Sequence, residues 1–153
     1  MSAYLRAPLL FVSLFVVLLG LPAYGQGTLP EAGERQRYSV YIEMPQAYIS
    51  GIGILKNDGE KIVGSLFNEF GVSSIDFVYY PHRGKVKLLS VMKMLDKWYI
   101  RKLLRKDLRL LFESMSHGAT TYSNDRRHIT YRFTPMTEES EEETNDYNHD
   151  TEE

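Results

Sequence analysis

Asp107 is a charged residue in apolar surroundings. The stretch from Leu103 to Leu111 reads LLRKDLRLL, so in a helix all four residues three or four positions from Asp107 are leucines. An ionised carboxylate that is buried without a partner costs several kcal/mol or takes up a proton. We therefore predict that Asp107 faces the sheet and bonds to a residue outside its own helix. The candidate partners are Tyr38, Tyr41, Tyr79, Tyr131, His128 and Arg132.

Two roles are open for this aspartate. It fixes how the helix docks on the sheet, or it lines a ligand cleft from which its neighbours exclude water. Removing one member of a buried pair typically costs about 3–5 kcal/mol, so replacing a docking aspartate should destabilise the protein. Replacing a cleft aspartate should instead leave unfolding nearly unchanged and alter ligand retention.

Motifs for catalysis are absent from the sequence. It contains no serine-hydrolase elbow, HExxH zinc motif, phosphate-binding loop or dinucleotide-binding fingerprint. It has no cysteine, which excludes thiol nucleophiles and cysteine zinc sites. We predict that the protein is not an enzyme and holds no metal and no cofactor. The histidines have no second metal ligand at helical or hairpin spacing; they are His82, His117, His128 and His149.

Residues 1–25 have the pattern of a secretory signal peptide. Arg6 precedes an apolar run over residues 9–19, and the small-residue pattern AYG follows at residues 23–25. The alternative is an uncleaved membrane anchor, because a spanning helix needs about 20 apolar residues. The expected mature protein begins at or near Gln26 and is periplasmic or secreted.

Charge is divided unevenly along the chain. The whole sequence has 18 Lys and Arg against 20 Asp and Glu. Residues 135–153 hold nine of the acids and no Lys or Arg, whereas residues 26–134 carry 17 basic and 11 acidic residues, a net charge of +6. Because the acidic segment has little to bury, we predict a disordered tail over residues 135–153. It either solubilises the protein or acts in its function.

Residues 37–134 are predicted to form one domain, after a linker over residues 26–36. Strand-like runs follow one another through short turns, and Asp58-Gly59 indicates a hairpin between the second and the third. Such a series predicts an antiparallel meander of about five strands. The runs are RYSVYIEM, AYISGIGILK, EKIVGSLFNEF, SSIDFVYY and KVKLLSVMKM.

A long amphipathic helix is predicted after the meander. From Lys97 to about Met115 the chain has no Pro or Gly, apolar side chains fill one wide arc, and Asp96 is placed to cap the first turn. The polar stretch TTYSNDRR then predicts a loop, and the alternation in HITYRFT predicts a last strand. The expected fold is α+β: a curved antiparallel meander packed on one helix and closed by a final strand.

Glycines and methionines suggest a ligand site between the sheet and the helix. A glycine inside a strand often marks a bend or a close approach to the backbone. Methionine adapts to irregular shapes, although it more commonly fills a core. The candidate ligand-binding residues are Asp107, Gly51, Gly53, Gly64, Met92 and Met94.

Basic residues cluster in and before the helix. Ten Lys and Arg lie within residues 83–109, interleaved with Trp98 and Tyr99. This pattern fits a solvated helix face, an anionic lipid surface or nucleic acid. An exported protein meets phosphate mostly as lipid headgroups or lipopolysaccharide, so we expect no nucleic acid partner. The candidate contacts to an anionic surface are Lys102, Arg105, Lys106 and Arg109.

The acidic tail is predicted to cover this basic helix face. Opposite charges attract at low salt, and about 0.1 M salt screens them beyond roughly 10 Å. Deleting the chain from Thr137 onward should therefore increase binding to anionic liposomes, most visibly at low salt.

Two resemblances add to this reading. YISGIGILKNDGEKIVGSLFNEFGVSSIDFVYY followed by GKVKLLSVMKMLDKWYIRKLLRKDLRLL resembles a group of uncharacterised exported proteins of gut-type Gram-negative bacteria. The predicted topology of residues 37–134 resembles the LolA/LolB-like lipoprotein-carrier superfamily, in which an open half-barrel holds acyl chains against a helical lid. This implies an exported non-catalytic binding protein that holds an apolar ligand or a lipidated protein between sheet and helix. The alternative is a small cell-envelope interaction or scaffold domain with a filled core and no ligand.

Overall fold

A computed structural model of the protein describes residues 28–137. The predicted signal peptide and the part of the predicted tail beyond Thr137 lie outside the described residues. The predicted start of the tail at residue 135 is too early, because Pro135 ends the last strand and the backbone N–H of Met136 donates to the carbonyl oxygen of Arg37 at 2.9 Å. The elements are β1 (Arg35–Met44), β2 (Ala47–Asn57), β3 (Ile62–Asn68), β4 (Ser73–Tyr80), a 3-10 turn (Pro81–Arg83), β5 (Lys85–Val91), α1 (Trp98–Ser116), β6 (Thr121–Asn124) and β7 (Ile129–Pro135).

The strands form one antiparallel sheet of seven strands in the order β5-β4-β3-β2-β1-β7-β6. Strands β1 to β5 are a meander of sequence neighbours, and β7 returns to pair with β1. Helix α1 connects β5 to β6 and contacts both of these edge strands, so the sheet curls around it as a half-barrel. The predicted α+β class and curved antiparallel sheet are confirmed. The prediction of about five strands followed by one final strand is wrong, because the sheet has seven strands.

The strand that the prediction missed is β6, which lies inside the stretch predicted as a loop. It pairs with β7 at the edge of the sheet. Thr121 and Ser123 are exposed, and Tyr122 and Asn124 are half-buried. A strand with one large apolar residue lacks the alternation that identifies a half-buried strand. Pairing with β7, rather than hydrophobic pattern, places it in the sheet.

The predicted cap of the helix is also wrong. Lys97 is the N-cap residue and makes no side-chain capping bond. Asp96 instead accepts a bond from Nη1 of Arg101 at 2.6 Å. The carboxylate is therefore engaged by a helix side chain rather than by a backbone N–H.

The domain begins earlier than the predicted boundary at Arg37. Strand β1 starts at Arg35. Before it, Thr28 donates its backbone N–H to the carbonyl oxygen of Met115 at 2.8 Å. Much of the segment predicted as a linker is therefore attached to the domain.

Aromatic side chains fill the space between the sheet and α1. The ring centroid of Phe112 on the helix lies 5.2 Å from those of Phe77 and Tyr79 and 6.1 Å from that of Phe133. All four side chains are buried. Aromatic side chains bury more apolar surface than other side chains do, so the burial of these four contributes strongly to the stability of the core.

The three strand glycines lie where the protein's own groups approach the backbone. A Cβ atom on Gly64 would lie 2.5 Å from Cε2 of Phe77 and 2.7 Å from Cδ2 of Leu55. A Cβ on Gly53 would lie 2.9 Å from Cγ2 of Val40, and one on Gly51 would collide with the carbonyl oxygen of Phe67. The described side chains and backbone thus account for the glycines.

Replacing Gly64 by alanine is expected to destabilise the protein by about 1–3 kcal/mol, because overpacking a filled core forces neighbours out of position. Phe77 cannot yield easily, since it is stacked on Phe112. Urea denaturation of the variant measures the loss. Ser65→Ala is the control, because Ser65 points to the opposite face of β3. An equal loss in both variants would contradict the steric explanation.

Candidate functional site

Asp107 is completely buried on the inner side of α1. Nδ2 of Asn124 donates to its Oδ1 at 2.9 Å and to its Oδ2 at 3.1 Å. The hydroxyl of Tyr131 donates to Oδ2 at 2.9 Å. The predicted burial and the predicted partner Tyr131 are confirmed. Both donors are neutral and lie outside the helix.

The sequence prediction missed Asn124, which closes β6 before the turn into β7. Its side-chain Oδ1 accepts the backbone N–H of Arg127 at 3.3 Å, so the amide is held with Nδ2 directed at Asp107. An asparagine amide offers two N–H groups, so Asn124 is a donor that the predicted set of Tyr, His and Arg side chains leaves out. The sequence signal that could have identified Asn124 as a donor is its position in the polar stretch TTYSNDRR, which follows the helix.

The protonation of Tyr131 suits this arrangement. Burial raises the pKa of its phenol above the ordinary value, and the charge and hydrogen bond of Asp107 raise that pKa further. Burial and the charge of Asp107 also raise the pKa of Tyr122, whose ring centroid lies 6.1 Å from that of Tyr131. Tyr131 therefore remains a hydrogen-bond donor to the carboxylate at neutral pH.

Two of the cavities among the described residues lie beside candidate site residues. An apolar cleft beside Gly51 and Ser74 has a volume of about 10 Å³, close to the minimum for one water molecule. Small-molecule sites usually exceed about 300 Å³. An open groove of about 450 Å³ lies beside Asn124, and Glu43 and Asp125 are among its polar walls.

The candidate ligand-binding residues do not form one group. Asp107 contacts residues of the β6–β7 hairpin, whereas the close neighbours of the three glycines belong to β1, β2, β3, β4 and β7. Met92 is half-buried and Met94 is exposed. Met115 on α1 is fully buried in the core.

The basic candidates on α1 lie mostly in solvent. Lys102, Arg105 and Lys106 are exposed. Arg109 is half-buried and bonds to Oε1 of Glu113 at 3.1 Å. Three of the four predicted cations are therefore available on the outer face of the helix.

A second feature is a set of exposed apolar side chains at one end of the half-barrel, which we call the apolar end patch. The β3–β4 turn and the connection from β5 to α1 are adjacent, because the backbone N–H of Met92 bonds to the carbonyl oxygen of Ser74 at 2.8 Å. These two connections and the first turn of α1 carry the patch. Its residues are Phe70, Val72, Met94, Trp98 and Tyr99.

The patch residues are unusually open for their type. Phe70 is 81% exposed, Trp98 76% and Met94 69%. The rings of Trp98 and Tyr99 meet edge to face at 5.9 Å. Clustered exposed apolar side chains mark interaction sites more often than single ones do. The sequence prediction names Trp98 and Tyr99 among the basic residues of a candidate binding surface. It misses Phe70, for which the available signal is a phenylalanine directly before a turn glycine.

Among residues 28–137, no group of three or more metal-ligating side chains is suited to hold a metal ion. No helix within the same residues is long and apolar enough to cross a membrane. Comparison of the chain with known protein families, curated proteins and solved structures gives no significant match. The resemblance to the lipoprotein-carrier superfamily therefore stays a prediction.

Proposed function

We propose that this protein is a non-catalytic interaction domain of the cell envelope, which presents the apolar end patch to a partner. The observation that carries the proposal is the distribution of its apolar side chains. Phe112 and its aromatic neighbours fill the interior, while Phe70 and Trp98 extend into solvent at one end. Exposing large apolar side chains together is unfavourable unless a partner covers them.

The buried polar cluster has a structural role in this proposal. Asp107, Asn124 and Tyr131 join the middle of α1 to the β6–β7 hairpin. They thereby hold the helix against one edge of the curled sheet, and the first turn of the helix carries Trp98 and Tyr99. The cluster fixes the orientation of the patch and takes no part in chemistry.

A second candidate function is that of a carrier for an apolar ligand or a lipidated protein. The curl of a single antiparallel sheet around one helix favours it, since that arrangement resembles the carrier half-barrel. The cleft beside Gly51 would have to open from about 10 Å³ to some hundreds of cubic ångströms.

Mass spectrometry of an organic-solvent extract of the purified protein separates the two candidates. We expect no lipid at stoichiometric amount, because the interior is filled. A stoichiometric lipid would favour the carrier and count against the filled interaction domain.

A photo-crosslinking amino acid tests the interaction surface directly. We expect benzoylphenylalanine at position 98 to capture envelope components in intact cells. Val63 is the control position, because it is exposed within β3, away from the two connections that carry the patch. Equal capture at positions 98 and 63 would contradict the proposal.

A further inference from the structure

We infer that the partner of the apolar end patch is an anionic phospholipid surface. The inference rests on the proposed function and names its partner. The patch combines Trp98, Tyr99 and Phe70 with the flexible Met94. Aromatic rings with a polar edge favour the level of lipid headgroups, where the ring meets hydrocarbon and the N–H or O–H meets water.

Exposed cations flank the patch residues along the chain. Lys93 and Lys97 are exposed on the connection that carries Met94. The acid of that connection, Asp96, is occupied by Arg101. Glu69 remains exposed in the β3–β4 turn. Lysine can bury its aliphatic stem along apolar material while its ammonium reaches phosphate.

The outer face of α1 extends the positive charge away from the patch. Lys102, Arg105 and Lys106 are exposed within the first three turns of the helix. Each cation close to an anionic membrane strengthens binding by about fivefold. This charge selects an anionic lipid surface over a neutral one, whereas an apolar protein groove would have no need of it.

The protein carries its own probe for this test, because Trp98 is its one tryptophan. The chain from Gln26 to Glu153 contains every described residue and omits the apolar run of residues 9–19, which would bind lipid by itself. It is titrated with vesicles of phosphatidylcholine alone and of phosphatidylcholine mixed with phosphatidylglycerol. We expect the emission of Trp98 to shift to shorter wavelength, with weaker iodide quenching, only when phosphatidylglycerol is present.

Variants assign the binding to the patch. Phe70→Ala should weaken binding about tenfold, as expected for loss of one inserted aromatic ring. Lys97→Gln should weaken it about fivefold at low salt. Val63→Ala is the control and should bind as the parent does, because Val63 is exposed on β3 near the opposite end of the sheet, where it pairs with Lys56.

Three results would overturn the lipid inference: no shift with anionic vesicles, an equal shift with neutral vesicles, or equal weakening by Phe70→Ala and Val63→Ala. The crosslinking experiment separates this failure from failure of the proposed function. If position 98 captures a protein while anionic vesicles leave the emission unchanged, the interaction domain stands and the lipid partner is wrong.

Discussion

Asp107→Asn is expected to lower the free energy of unfolding by about 3 kcal/mol, because hydrogen bonds to a charged group contribute about 1.5–3 kcal/mol each. The carboxylate accepts from both Asn124 and Tyr131 in a fully buried site. An asparagine side chain would place an NH₂ group against at least one of these donors. Domains of this kind have about 5–15 kcal/mol of total stability, so the loss is a large part of it.

Chemical denaturation with a double-mutant cycle tests this role. Tyr131→Phe removes one donor, and the double variant should lose less than the sum of the single losses because the two groups are bonded. Lys106→Gln is the control on the adjacent, exposed position and should change stability by no more than about 0.5 kcal/mol. If Asp107→Asn unfolds as the parent does and instead alters retention of a ligand, the docking role is wrong.

Deleting residues 138–153 is expected to strengthen binding to anionic vesicles by roughly a hundredfold at low salt. The deletion removes nine acids and frees the exposed cations Lys102, Arg105 and Lys106 from competition. Three cations at about 1 kcal/mol each give this factor. Thr137 is kept, because it belongs to the described residues.

Salt dependence distinguishes attraction by the tail from a simple solubilising effect. The gain should shrink as salt rises to about 0.15 M, where charges are screened beyond roughly 8 Å. A chain in which the acids of residues 138–153 are replaced by Gln and Asn serves as the length-matched control and should bind like the deletion. Unchanged binding of the deletion at every salt concentration would leave the tail a solubiliser only.

The fold was predictable where the sequence has a strong period. The alternation in RYSVYIEM corresponds to β1, and the proline-free run after Lys97 corresponds to α1. Strand β6 was not predictable in this way, because an edge strand with exposed Thr121 and Ser123 shows no apolar alternation. Its pairing depends on β7, which follows it in the chain.

The candidate site was predictable in part for a related reason. The leucines around Asp107 require that it be buried, and burial requires a donor, so the need for a partner follows from the local sequence. The identity of the donors does not. Tyr131 was one of several candidates, and Asn124 was missed because its direction depends on the turn that it forms with Arg127.

The exposed apolar residues show the same limit. Phe70 and Phe77 are seven positions apart and chemically identical, yet one is 81% exposed and the other fully buried. The first lies in a turn beyond the end of β3, and the second points into the half-barrel. Composition alone predicts both to be core residues.

By itself the sequence determined the periods of the strands and the helix, the zero cysteine count, the charge division and the need of Asp107 for a bonded partner. These are properties of residues close together in the chain, and local sterics and hydrophobic period control them. Only the tertiary structure decided which donors reach Asp107, why the strand glycines are required and which aromatics remain outside. Those depend on the curl of the sheet around α1, which brings together residues that are far apart in sequence.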